Sequence, residues 1–320
     1  MKVIYDVYEN RDLIRDSYVA IGSFDGIHRG HKKLISSAVE TARKHGGKSV
    51  VFTFYSHPKE VTNSINAPKL INSLEEKIYL LEKMGVDYLV LQPFNYEFSN
   101  MGPEEFVDKI LKEFLCTKEV FVGFNFGFGK GRSADVRKLE HLCGKRHIKV
   151  REIPPVKVFE KVVSSTGIRN AILSGDLATV NSFLGEPLLI SGIVVHGKKL
   201  GRQMGIPTAN LERNNRSYLP YGIYGGTVVI DGDRPEKEYD VVVNIGRNPT
   251  LKPGEKTVEV HILDFAGDIY DKRIFVRIIK HLREEKKFTS MGELKNQIKH
   301  DIETWRKFLE NIENYRDEGI

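Results

Sequence analysis

Short apolar runs alternate with amphipathic stretches over the first 185 or so residues, and the two periods assign the elements. "YVAIGSF", "KSVVFTFY", "DYLVLQPF", "EVFVGFNF" and "KVREIP" are apolar runs of strand length. Between them apolar positions recur at helical spacing. Leu34, Ile35, Ala38, Val39 and Ala42 fall on one face, and Gly46-Gly47 ends the pattern. Ser73 followed by Glu76 is a capping box, opening a helix that carries Leu74, Ile78 and Leu81. Strands alternating with helices in this way predict a mostly parallel, doubly wound α/β sheet.

Past residue 188 the helical period stops. "SGIVVHG", "IPTANLE", "GIYGGTVVI", "EYDVVVNIG", "TVEVHILDF" and "RIFVRIIKHL" are strand-like, separated by turn material such as "DGDRP" and "AGDIYDK". This half reads as an antiparallel β-barrel. One long helix closes the chain, with Leu294, Ile298, Ile302, Trp305 and Leu309 in register as a stripe that packs on the barrel. The seam falls in "LGEPLLIS", so the expected domains are residues 1–186 and 187–320. No internal repeat appears.

Composition narrows the class. A chain of 320 residues with 40% hydrophobic and 29% charged residues has the make-up of a globular protein of two domains. No apolar run is long enough for a membrane span, and no basic-then-apolar leader follows Met1, so a cytoplasmic location is expected. Cys116 and Cys143 lie far apart without CxxC spacing, which argues against a disulfide framework or a zinc site. The net charge of +6 and a pI near 9.0 suit an anionic ligand. Because the basic residues are interleaved with acids rather than striped, small phosphorylated molecules fit better than a polynucleotide or a membrane.

"GSFDGIHRGH", residues 22–31, follows the first strong strand. In a parallel sheet that is where ligands collect, at the carboxyl end of a strand and the start of the next helix. Gly22 and Gly26 permit a tight path, and His28 and His31, three apart, can project from one side of the helix start. Two imidazoles beside a polyphosphate can donate to charge that builds in a transition state. The stretch lacks both the GxxxxGK[ST] of a Walker A loop and the GxGxxG of a dinucleotide fingerprint. Further on, "VVSSTGIRNAILSGD" crowds Ser164, Ser165 and Thr166 onto a helix start with Arg169 within a turn, which suits a phosphate clamp.

As a whole, GxFDGxHxGH resembles the signature of the nucleotidylyltransferase superfamily, and SSTxIR resembles its second nucleotide-binding stretch. The resemblance implies a Rossmann-like sheet domain. It also implies that Gly22, Phe24, Asp25, Gly26, Gly30, Ser164, Ser165 and Thr166 contact ATP, with His28, His31 and Arg169 acting on its phosphates. "TFYSHP" and "VGFNFGFGKGRSADV" are similar to stretches of the bacterial bifunctional riboflavin kinase/FMN adenylyltransferases, the FAD synthetases. That likeness implies that His57, Pro58 and Asn125 face the flavin. Ser56 and Ala134 depart from the family pattern, where a proline and a glycine stand.

"GIVVHGKKLGRQMGIPTANL", residues 192–211, resembles the riboflavin kinase signature nearly residue for residue. A glycine-rich turn holding Gly197, Lys198, Gly201 and Arg202 can wrap the phosphates of ATP, and Thr208 and Asn210 offer hard oxygens for Mg2+. In "TVEVHILDF" Glu259 alternates with Val258 and Val260, so it faces away from them. The family likeness implies that Glu259 is the base at the ribityl hydroxyl and that Arg283 belongs to the flavin-side loop.

The expected protein therefore phosphorylates riboflavin to FMN and adenylylates FMN to FAD, with riboflavin, FMN and ATP as its small-molecule partners. Neither nucleic acid nor membrane is expected, and the oligomeric state is left open. The two departures leave open the alternative that one activity only is retained, the adenylyltransferase being the one in question. A sister adenylyltransferase fused to an unrelated barrel is disfavoured by residues 192–211. Salt-sensitive nucleic-acid binding would support a third reading, a basic barrel that reads polynucleotides.

Overall fold

In the computed structural model, residues 1–10, 14–55, 69–197, 201, 204–212, 219–233, 236–247 and 256–317 are described. Two compact units result, Met1–Gly167 and Ile168–Ile320.

The first unit is built on six parallel strands in the order β1-β4-β3-β2-β5-β6. They are β1 (Lys2–Tyr5), β2 (Ser17–Ile21), β3 (Lys48–Phe54), β4 (Tyr88–Gln92), β5 (Thr117–Gly123) and β6 (Lys149–Ile153). All five expected strands are present, and β1 adds an edge that pairs with β4. β2 is buried at every position, as a central strand covered on both faces should be. Helix α1 (Arg29–His45) buries Leu34, Ile35, Ala38, Val39 and Ala42, and Gly46 ends it in the left-handed conformation at φ 69°. Helix α2 (Leu74–Lys83) opens on the capping box of Ser73 and Glu76. On one face of the sheet Val19, Ile21, Val50, Phe52, Val120 and Val122 share a core with Phe106, Ile110 and Leu111 of the π-helix Phe106–Phe114. Leu139 and Leu142 of α3 (Val136–Gly144) join them.

The strands β7 (Lys157–Val158) and β8 (Lys161–Val162) form a small hairpin ahead of α4 (Ser165–Ser174). The boundary at Gly167 precedes the expected seam near 186. Within the second unit, α5 (Leu177–Leu184) packs on barrel strands and Asn181 donates to the carbonyls of Ile278 and Ile279.

The second unit is a closed antiparallel barrel ordered β10-β13-β12-β11-β14-β9. Its strands are β9 (Leu188–Val195), β10 (Ala209–Leu211), β11 (Gly222–Ile230), β12 (Glu238–Arg247), β13 (Lys256–Ile262) and β14 (Arg273–Arg283). Val241, Val243 and Ile245 on β12 pair with Ile262, Val260 and Val258 on β13, and all six fill the interior. The alternate positions face outward. On the outer wall Ile223, Val242 and Leu263 bury Trp305 of the terminal helix α6 (Met291–Asp317), as the stripe predicts. Gly225 lies directly under the Trp305 ring, where any side chain would collide with it.

Candidate active sites

β2 lies between β3 and β5, so the winding of the sheet reverses beside it and a crevice opens at the carboxyl ends of these strands. Gly22–His28 fills the turn from β2 into α1. Phe24 and Ile27 adopt positive φ, 44° and 36°, in a region that costs an L-residue roughly 1–3 kcal/mol. Both side chains are fully buried, and about 1.5–3 kcal/mol of burial for each offsets that strain. Gly26, at φ 90°, runs so close to Ile71 that a side chain there would meet it at 2.9 Å.

Two hydrogen-bond chains fix this turn. The Asp25 carboxylate, 3% exposed, accepts from the backbone N–H groups of Ile71 (2.8 Å) and Asn72 (3.4 Å), just ahead of the capping box. Helix α2 then returns Lys77, whose Nζ donates to the Ser23 carbonyl at 3.1 Å. From the far end of the unit, the Ser165 hydroxyl donates to the Asp25 carbonyl at 2.8 Å and joins the two nucleotide-type motifs across 140 residues.

His28 caps α1, its Nδ1 accepting from the His31 N–H at 3.3 Å. The two rings stack with centroids 3.6 Å apart, and the edge of Phe24 packs against His31. Burial pushes the His28 pKa down to about 4, against the pull of the Asp25 carboxylate. His31 is pushed well below the usual histidine range by burial first, then by His28 and by the Lys77 ammonium. Both imidazoles are therefore neutral near pH 7. His31 Nδ1 is buried with no hydrogen-bond partner among the described residues. Such an atom at a helix N-terminus suits an anionic ligand.

Ser164 caps α4 by accepting from the Gly167 N–H at 3.2 Å, while the Thr166 side chain is exposed. Arg169 is half-buried, four residues after Ser165 on the same helix. Asn125 is exposed just past β5. Phe54, Phe94 and Phe98 pack on one another, with Phe126 stacked on Phe128.

On the barrel wall, register pairing draws distant residues into one lateral row. Arg283 pairs with Ile223, Ile223 with Asn244, Asn244 with Glu259, Glu259 with Asn210, and Asn210 with Val195. Val242 and Ile223, which share this outward face, lie under α6. The Asn210 amide packs so tightly on Gly197 that no side chain fits there, and a side chain at Gly201 would come within 3.2 Å of Thr208 Oγ1. Arg283 makes a two-pronged ion pair with the buried Asp301, at 2.8 and 2.7 Å, and donates to the Glu284 carbonyl.

The FAD synthetase family model covers residues 11–167 and the riboflavin kinase family model residues 184–309. A bifunctional riboflavin kinase/FMN adenylyltransferase from Bacillus subtilis is 35% identical over 98% of this chain and 99% of its own length. One of the same description from Escherichia coli is 35% identical over 97% and 98%. The chain belongs to the bifunctional riboflavin kinase/FMN adenylyltransferase family. A solved structure from Streptococcus pneumoniae, described as a macrolide-efflux protein, aligns with a TM-score of 0.80 at 33% identity, covering 96% of this chain and 99% of that one. Among the described residues no helix is long and apolar enough to cross a membrane.

Within this family framework the first unit brings Gly22, Phe24, Asp25, Gly26, His28, Gly30, His31 and Ser165 into one turn and its supports. The barrel brings Asn210, Glu259 and Arg283 into one row. His57, Pro58, Lys198 and Arg202 lie outside the described residues, as does Ser56. Ala134 bridges to Phe128 and is buried in the core, so a methyl group is accommodated there. Sequence reasoning missed Lys77 and Asn244. Lys77 sits one residue past a recognised capping box. Asn244 opens the "NIG" run of a recognised strand.

Proposed function

We propose that this chain carries out both steps of flavin cofactor synthesis, with the adenylyltransferase in residues 1–186 and the riboflavin kinase in residues 187–320. The observation that carries the proposal is that each signature's residues are drawn together, Ser165 being tied to the β2–α1 turn and Asn210, Glu259 and Arg283 sharing one lateral row of the barrel.

In the kinase step the ribityl 5′-hydroxyl oxygen of riboflavin attacks the γ-phosphorus of ATP, its proton passes to Glu259, and ADP leaves. Thr208, just ahead of β10, and Asn210, within it, are two positions apart and offer neutral side-chain oxygens. Mg2+ commonly takes one or two protein oxygens and completes its shell with phosphates and water, and this pair fits that habit. The ion would offset charge on the transferring phosphoryl group. Gly197, Lys198, Gly201 and Arg202 wrap the phosphates, and Arg283, fixed by Asp301, anchors the flavin-side loop.

In the second step an FMN phosphate oxygen attacks the α-phosphorus of ATP and pyrophosphate departs. This nucleophile is already anionic, so no base is needed and positioning and charge stabilisation carry the rate. Neutral His28 and His31 donate N–H groups to the phosphates, and Ser164, Ser165, Thr166 and Arg169 hold the triphosphate. Gly22, Phe24, Asp25, Gly26 and Gly30 shape the turn that receives it. The family likeness assigns His57, Pro58 and Asn125 to flavin binding. The buried, accommodated Ala134 supports retention of this activity. The substrates are small molecules, with no nucleic acid or membrane partner, and the enzyme works in the cytoplasm.

Single variants separate the two sites. Glu259→Gln loses riboflavin phosphorylation by about 10²–10⁴-fold and retains FAD formation from supplied FMN. His28→Ala and His31→Ala do the reverse. Kinase turnover that survives Glu259→Gln removes Glu259 as the base, and FAD formation unaffected by either histidine change removes their phosphate role.

A further inference from the structure

Asn244 is the one polar residue of the barrel row that the proposed chemistry leaves unused. Register puts it directly beside Glu259 on β13 and beside Ile223 on β11, with Arg283 next beyond Ile223. It thus lies between the flavin-side loop and the base. Its Oδ1 is buried and has no hydrogen-bond partner among the described residues, an arrangement that is unfavourable unless a ligand completes it. Gly246, two positions along on the same face, is close enough that a side chain there would come within 3.3 Å of the Asn244 amide and 3.0 Å of the Glu285 carboxylate. Glycine at 246 therefore spares the Asn244 amide a crowding side chain.

We propose that Asn244 is a specificity-determining residue of the kinase site, its carboxamide oxygen accepting a hydrogen bond from a secondary hydroxyl of the ribityl chain and thereby setting the 5′-hydroxyl against Glu259. The inference rests on the kinase reading above. Neighbouring strands lie about 4.8 Å apart, which matches the span from a terminal hydroxyl to a hydroxyl one or two carbons back along an extended polyol. With the 5′ oxygen at Glu259, a ribityl chain that leaves across the neighbouring strand passes Asn244 with its 4′ and 3′ hydroxyls. A hydroxyl donor meets an orphaned acceptor there, and a flavin side chain without hydroxyls leaves that acceptor buried and unpaired. Sites of this kind reject the analogue that lacks the group more strongly than an apolar pocket can.

The test is a cycle between residue and substrate. Wild type, Asn244→Ala and Asn244→Asp are each assayed for kcat/KM with riboflavin, 4′-deoxyriboflavin and 3′-deoxyriboflavin, and Trp305 fluorescence through a urea titration checks the fold of the barrel. Wild type is expected to lose about ten- to hundredfold on one deoxy analogue. Asn244→Ala loses the same factor on riboflavin and nothing further on that analogue, while Asn244→Asp, which keeps an acceptor, still discriminates. Equal discrimination by wild type and Asn244→Ala overturns the proposal while leaving the kinase assignment intact. Failure of wild type to phosphorylate riboflavin at all would instead overturn the kinase reading beneath it.

Discussion

Acid should weaken the first unit through His28 before it weakens the barrel. His28 has an ordinary pKa near 6.5 when unfolded and about 4 when folded, because burial at the head of α1 disfavours its charged form. The folded-state value is depressed, so nothing is lost above about pH 6.5; as pH falls through the window from 6.5 to 4 the unfolded chain binds a proton that the native chain refuses. At about 1.36 kcal/mol per pKa unit the full loss is ~3 kcal/mol, of which ~2 kcal/mol is reached by about pH 5. His31 adds to it in the same direction. His28→Asn is the control, since asparagine keeps a cap acceptor for the His31 N–H and has no proton to gain. Hydrogen exchange read by mass spectrometry on peptides from β2 and α1, corrected for intrinsic rates, gives the opening free energy of this unit between about pH 7.5 and 5. Trp305, the only tryptophan, lies on α6 and reports the barrel separately. Wild-type protection that falls ~2 kcal/mol more steeply than that of His28→Asn supports the buried, neutral imidazole. Identical pH slopes in the two proteins would refute it.

Three other changes have defined outcomes. Arg169→Ala should raise the KM for ATP in FAD synthesis and leave riboflavin phosphorylation unchanged; steady-state kinetics of each step from its own flavin decides it, and unchanged ATP dependence removes Arg169 from the clamp. Gly225→Ala drives a methyl group into the Trp305 ring and should destabilise the barrel by about 1–3 kcal/mol, seen as a lower urea midpoint in Trp305 fluorescence. Asp301→Asn frees the Arg283 fork and should raise the KM for riboflavin, with FMN adenylylation as the internal reference.

The parts of this structure that were legible in the sequence are those carried by local pattern. Leu34 to Ala42 announce α1 because buried helix faces repeat at 3.6 residues, and Ser73 with Glu76 announces α2 because capping is a contact three residues long. Glu259 could be set opposite its valines because strand side chains alternate. Which strand lies beside which could not be read. The row from Arg283 to Asn210 exists only once the barrel closes, and closure is decided by pairing between segments as distant as Leu188 and Ile278. Asn244 stayed hidden for that reason. Lys77 stayed hidden because its meaning comes from Asp25 holding Ile71 and Asn72, a contact 46 residues long that swings α2 back onto the Ser23 carbonyl. β1, four residues long with no strong flanking turn signal, is recognisable only by the β4 edge that it completes.

The most direct test of the account is to incubate the pure protein with riboflavin, ATP and Mg2+, run a parallel reaction from FMN, and separate the flavins by chromatography over time. Two working sites give FMN first and FAD after it in one tube, and FAD from FMN in the other. FMN alone would mean that the His28–His31 turn no longer supports adenylyl transfer, and no conversion in either tube would contradict the functional reading of both units.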